Sequence, residues 1–281
     1  MKLLSGKGKT VKNKQIMTPK KRKIMMSKII EIVLKAKADE EIQKAEKSLA
    51  SIMNDVLMQY VDDKYREYLS MQMIKPYTQY IIKDIEVEDI YYWRIATLNQ
   101  EATENIAYRL MDKLMKENCE FITADKIVFN IEKKSYIHSA TYKQLVTKYF
   151  TRRLKSSYIE FNFLTPTLLF GEEDKMICQP HDIIMNLVAI WNLFAIDEKL
   201  YEQDLIENLA QEIQLDDYEV ILRPQLINGK KRPTFQGKCR FSLKNNIMAN
   251  KIILMLAEFS QYTSIGVNTH LGMGAIQIKL N

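Results

Sequence analysis

The sequence predicts an α+β protein built from two successive β-α-β-β-α-β units, each an antiparallel sheet backed by two helices. Three observations lead there. Short β-branched and aromatic runs alternate with stretches of three- and four-residue apolar spacing. The same order of elements occurs twice. The strongest hairpin signal, Asn228-Gly229, falls between two runs that should pair in the second unit.

From Lys28, the residues Ile30, Ile32 and Leu34 alternate with Ile29, Glu31, Val33 and Lys35, a strand that runs into the helix-capping Asp39. Ile42, Ala45, Leu49, Ile52, Met53, Val56, Leu57 and Tyr60 then recur at helical spacing and predict an amphipathic helix over 39–60. Tyr77–Lys83 and Ile90–Leu98 read as strands around an acidic turn at Glu86–Asp89. Asn99 caps a second helix carrying Ile106, Leu110 and Leu114 on one face, and a weaker strand around Ile127–Ile131 closes the unit. Ser135–Ser139, with His138, reads as linker. The order returns after the basic connector Arg152-Arg153-Leu154-Lys155. Ser157–Leu164 is a strand, a helix opens at Pro180 and runs to Phe194, Tyr218–Ile227 and Thr234–Leu243 form the hairpin, residues 246–259 a helix and Ala275–Leu280 the last strand. Residues 196–216 add a helical insertion. The expected organisation is two tandem ferredoxin-like halves, 26–151 and 152–281, preceded by a basic, disordered extension over 1–25.

Composition narrows the class without naming a function. A chain of 281 residues with 47% apolar content can bury one large core or two modest ones. With no apolar run of about 18 residues and no signal-peptide pattern, it is expected to have no membrane span and to stay in the cytoplasm. Cys119, Cys178 and Cys239 are odd in number and far apart in sequence, which points to free thiols in a reducing compartment and away from a zinc knuckle. No metal or other cofactor is expected. The net charge of +6 is local: residues 1–25 hold nine Lys or Arg and no acid, leaving 32 basic against 35 acidic groups. Net charge therefore carries no argument for a polyanionic partner.

Of eight glycines, Gly266, Gly272 and Gly274 fall within nine residues, in a loop over 264–274 between the last helix and the last strand. Glycine permits positive φ and close backbone approach, and successive N–H groups in such a loop can hold phosphate oxygens. The stretch Phe259-Ser-Gln-Tyr-Thr-Ser-Ile-Gly-Val-Asn-Thr-His-Leu-Gly-Met-Gly274 resembles the C-terminal glycine-rich signature of the Cas-six family of CRISPR repeat-processing endoribonucleases. Phe163-Leu-Thr-Pro-Thr167, the helix opened by Pro180, Phe235-Gln-Gly237, and Tyr68-Leu69-Ser70 through Lys75-Pro76-Tyr77 resemble further family segments in the same order.

The resemblance implies binding of CRISPR repeat RNA and metal-independent cleavage, a ribose 2′-hydroxyl attacking the adjacent phosphate to leave a 2′,3′-cyclic phosphate. That reaction needs a base, an acid and a cation. Aligned on the family, Ser70 stands where a histidine is usual and Lys75 keeps the lysine position. An unassisted serine moves no proton usefully near neutrality. The catalytic candidates are therefore Lys75, Ser70, Tyr68 and His270, the last inside the glycine loop. A non-catalytic or weakly active repeat-RNA-binding subunit of an effector complex is the alternative. Candidate RNA contacts are Lys230, Lys231 and Arg232 at the hairpin tip, Lys238 and Arg240 on the strand that follows, Arg152 and Arg153 in the connector, and Gly266, Gly272 and Gly274. The partners implied are the repeat RNA and a type I or type III effector complex, with monomer and homodimer both open.

Overall fold

The computed structural model describes residues 27–37, 42, 48–116, 120–151, 156–170, 178–201, 204–227 and 229–281. The extension over 1–25, the connector residues Arg152 and Arg153, Cys119 and Asn228 lie outside the described residues.

Two antiparallel sheets share one strand order. In the first, β1 (Ser27–Ala36) lies between β3 (Ile90–Thr97) and β5 (Val128–Ala140), with β2 (Tyr77–Lys83) beyond β3 and the short β4 (Glu120–Ile122) beyond β5. In the second, β6 (Tyr158–Thr167) lies between β8 (Lys230–Leu243) and β9 (Ile276–Leu280), with β7 (Ile213–Ile227) outermost. Leaving β4 aside, each half places its strands 2-3-1-4, the ferredoxin-like order that the doubled pattern predicts.

Strand parity decides what each sheet buries. Ile30, Ile32 and Leu34 of β1 are fully buried in the first core with Trp93 and Ile95 of β3. Above them pack Met53 and Leu57 of α1 (Leu49–Met58) and Leu110 and Leu114 of α3, a helix over 100–116 whose middle, Thr103–Tyr108, widens to a π-turn. Asn99 caps α3 as its sequence position predicts, its side-chain oxygen accepting from the Ala102 amide at 2.8 Å. Ile29, on the opposite face of β1, belongs to the second core, as do Ala96 and Leu98. The second core is built on Phe161 and Phe163 of β6, Trp191 of α5 (Pro180–Phe194), Phe241 of β8 and Phe259 of α7 (Ile247–Thr263).

Several elements differ from the sequence reading. Helix α2 (Asp63–Met71) follows α1 as a separate helix, with Tyr65 and Leu69 its only buried residues. Residues 135–139 are no linker, because β5 continues to Ala140 and pairs His138 with Ile29. Helix α4 (Tyr142–Thr151) was not foreseen; its Tyr142, Leu145 and Tyr149 are buried in the second core. Within the 196–216 insertion, Leu205–Gln211 is helix α6, but β7 already starts at Ile213. Cys178 and Cys239, remote in sequence, meet in the second core with their sulfurs 2.8 Å apart.

Candidate RNA-cleavage site

The glycine loop is seated on both halves of the molecule. At its base the Ile265 amide donates to the Gly274 carbonyl at 2.9 Å, Val267 to Leu168 at 2.9 Å, and Gly274 to Pro166 at 3.0 Å, so the loop closes against the end of β6. Side chains would not fit. A Cβ on Gly266 would stand 2.1 Å from the Leu168 carbonyl oxygen, and one on Gly274 would stand 1.9 Å from that of Ile265. At the tip, Thr269–Leu271 form a single 3-10 turn, and Gly272, at φ +89°, lies so close to α1 that a Cβ there would be 2.2 Å from the Cβ of Ala50. The loop is thus less open than its glycines suggest. The amides of Ile265, Val267, Leu271, Gly272, Met273, Gly274 and Ala275 bond within the chain and so are not available to a phosphate.

His270 sits at the seam between the halves. Its carbonyl accepts from Gln79 Nε2 of β2 at 2.9 Å. Its partly buried ring meets the edge of Tyr77, with centroids 6.3 Å apart. Burial, with the nearby Lys75 ammonium, pushes the imidazole pKa down to about 4, so the ring is neutral at pH 7. Lys75 donates to the carbonyls of Leu69 and Gln72, each at 2.5 Å, capping the C-terminal end of α2. An ammonium has three N–H groups, so one is left over after these two carbonyls. Burial also lowers the Lys75 pKa from its ordinary value.

The other two catalytic candidates lie on α2. Ser70 is exposed and its hydroxyl donates to the Glu67 carbonyl at 2.7 Å. Tyr68 stacks on Tyr65 with ring centroids 5.4 Å apart and keeps one face toward solvent. Tyr77, which the sequence reading did not single out, is buried beneath the site and donates from its hydroxyl to Asn54 Oδ1 of α1 at 2.8 Å. Gln79 was missed too. Its parity with Tyr77 and Ile81 puts a polar residue on the core face of β2, and that was the available signal.

The basic hairpin stands apart from this seam. Pairing of β8 with β6 ends at Thr167 and Phe235, so Arg223–Ile227 and Lys230–Thr234 project as a two-stranded ribbon with Lys230 and Lys231 exposed at its tip. Lys230, Arg232, Lys238 and Arg240 share one face by parity, and Lys231 takes the other. Arg240 is engaged locally, bonded to Glu160 at 2.9 Å and lying over the Tyr158 ring at 5.2 Å. Lys238 is exposed opposite Glu219. Gly237 lets the strands approach, since a Cβ there would lie 2.1 Å from the Glu219 carbonyl oxygen.

Comparison with known proteins converges on one family. The model of the CRISPR-associated endoribonuclease Cas6 matches residues 161–276. Curated Cas6 endoribonucleases from Streptococcus thermophilus and Mycobacterium tuberculosis are 22% and 21% identical, matching 85% and 91% of this chain and 95% and 80% of theirs. Thermus thermophilus Cas6 superimposes with a TM-score of 0.63 at 14% identity, over 91% of this chain and 99% of that one. A Cas6 product complex gives a TM-score of 0.69 at 14% identity, over 90% and 99%. No helix among the described residues is long and apolar enough to cross a membrane. With the doubled ferredoxin-like fold and the glycine loop in place, the C-terminal half of the chain, residues 161–276, matches the CRISPR-associated endoribonuclease Cas6 family, and most of the chain is similar to curated Cas6 endoribonucleases.

Proposed function

We propose that this protein binds the repeat of a CRISPR transcript in the cytoplasm and cuts it without a metal ion, with the active site at the seam of the glycine loop and α2. The observation that carries this reading is the juxtaposition of a neutral imidazole, His270, with the Lys75 ammonium. His270 takes the proton of the attacking 2′-hydroxyl as general base. Lys75 faces the charge that develops on the phosphorane and supplies the proton to the departing 5′-oxygen, its lowered pKa making it the stronger acid. The 2′-oxygen to phosphorus bond forms as the phosphorus to 5′-oxygen bond breaks, leaving a 2′,3′-cyclic phosphate and a 5′-hydroxyl. Tyr68 offers its open face to a base beside the scissile phosphate. Ser70 has no part in proton transfer, because its hydroxyl is spent on the α2 backbone. Lys230, Lys231, Arg232 and Lys238 bind phosphates along the hairpin, and the product passes to a type I or type III effector complex.

The decisive experiment incubates the purified protein with its cognate repeat RNA in EDTA. Two discrete fragments are expected, the upstream one ending in a cyclic phosphate. Intact RNA at enzyme excess, together with tight salt-sensitive binding, would instead make the chain a repeat-binding subunit.

A further inference from the structure

We propose that Gln79 is the positioning residue of the cleavage site, a buried amide that latches the glycine loop to the N-terminal half and thereby holds His270 beside Lys75; this rests on the reading of the seam given above. Gln79 is 1% exposed, in the middle of β2 on the face it shares with Tyr77 and Ile81. A primary amide in such a place must find partners, because a buried polar group that loses its water without replacing those hydrogen bonds destabilises the fold. All its partners are supplied by other elements. Nε2 donates one hydrogen to the Ala50 carbonyl of α1 at 2.7 Å and the other to the His270 carbonyl at 2.9 Å. Oε1 accepts from Trp93 Nε1 of β3 at 2.9 Å.

The partners also determine which way the amide points. The indole N–H can only donate, so Oε1 must face it, and two carbonyls can only accept, so both hydrogens of Nε2 are needed there. Glutamine is the side chain that satisfies all three. A carboxylate would set a negative charge against two carbonyl oxygens, and an apolar chain would leave those oxygens and the indole N–H unpaired. The latch lies at the loop tip, where Gly272 touches Ala50, so one amide joins α1, β3 and the loop at their meeting point. Away from the tip, Val267, Gly274 and Ala275 are tied to Leu168, Pro166 and Thr165 on the β6 side.

The test reads the His270 ring in RNA-free protein, by NMR titration of the histidine Cε1 protons. In the parent protein its midpoint is expected near 4. In Gln79→Met the unlatched loop exposes the ring, and the His270 midpoint is expected to move up toward 6.5. Cleavage by the same variant should lose on the order of a hundredfold in kcat with KM nearly unchanged, since the reacting group is misplaced while the hairpin still binds. If Gln79→Met does not fold, Gln79→Glu decides, because its protonated acid can still accept from Trp93 but donate to one carbonyl only; a smaller upward movement of the same resonance is expected. An unmoved His270 midpoint in a folded variant overturns the proposal. Failure of the parent protein to cleave would overturn the reading of the seam and leave the titration to judge the latch alone.

Discussion

Burial first, and the charge of Lys75 second, hold the His270 imidazole pKa down, and under the proposed mechanism its titration should govern the pH dependence of cleavage. The imidazole pKa is held at about 4 in the free protein, so the proposed base is in its working form at every pH above that value and is lost only as pH falls through it. The acid limb of kcat/KM is therefore expected near 4 rather than near 6.5, and bound phosphate should move the limb of kcat upward by favouring the imidazolium. A stopped-time cleavage series from pH 3.5 to 8 checks this; an acid midpoint near 6.5 in kcat/KM would show that the base is some other group. On the proposed mechanism Lys75 carries two jobs that one substitution separates. Lys75→Met removes the cation facing the phosphorane, which should cost on the order of 10²–10³ in kcat. It also uncaps the Leu69 and Gln72 carbonyls, which should lower stability by only about 1 kcal/mol. Single-turnover cleavage and a thermal melt on the same preparation distinguish the two effects.

At the scale of elements, the loop and α1 form a fit that can be taken apart and partly restored. Gly272→Ala must accept φ +89° and a contact 2.2 Å from the Ala50 Cβ, so a loss of about 2–4 kcal/mol is expected. Ala50→Gly alone should cost at most about 1 kcal/mol for a glycine in a helix, but added to Gly272→Ala it relieves the collision and leaves only the backbone strain. A positive coupling energy of about 1 kcal/mol or more in urea denaturation confirms the contact. The hairpin is expected to act through charge. Lys230→Ala with Lys231→Ala should lower the magnitude of the slope of log affinity against log salt by about 1.4, whereas Arg240→Ala, already paired with Glu160, should change affinity by less than about threefold. These elements were not equally legible beforehand. Strand parity in β1, the Asn99 cap and the Pro180 helix start are local rules, and the structure follows them. Helix α2 has only Tyr65 and Leu69 to bury, too few for periodicity to reveal it, whereas Tyr142, Leu145, Val146, Tyr149 and Phe150 recur at helical spacing, so α4 was legible and the sequence reading missed it. The glycines announced the loop, while the Gln79 latch depends on carbonyls brought from 29 and 191 residues away, which no local pattern encodes.

Across the whole molecule, the two halves share more than a loop. Ile29, Ala96 and Leu98 reach from the first sheet into the second core, and between the sheets a cavity of about 270 Å³ is lined by Tyr80, Arg94, His138, Gln261 and Gln277. Arg94 is fixed on that face by Glu31 at 2.7 Å and by the Tyr80 hydroxyl at 3.1 Å. Helix α4 binds the second half just as firmly, with Tyr142 edge-on to Trp191 at 5.0 Å and Tyr149 donating to Glu258 at 2.5 Å. Removing even one such buried aromatic side chain costs about 3–5 kcal/mol, comparable with the whole stability of a small domain. A fragment over 152–281, which lacks all of α4, is thus expected to show no cooperative melt. A fragment over 141–281 regains Tyr142, Leu145 and Tyr149 and should fold, though less stably than the full chain, because Ile29, Ala96 and Leu98 no longer cover its core and the Gln79 seat of the glycine loop is gone. Calorimetry on the two fragments and the full chain orders their stabilities. If the shorter fragment melts cooperatively at the temperature of the longer one, α4 contributes nothing to the second core, and the packing of Tyr142 on Trp191 cannot be what holds that half together.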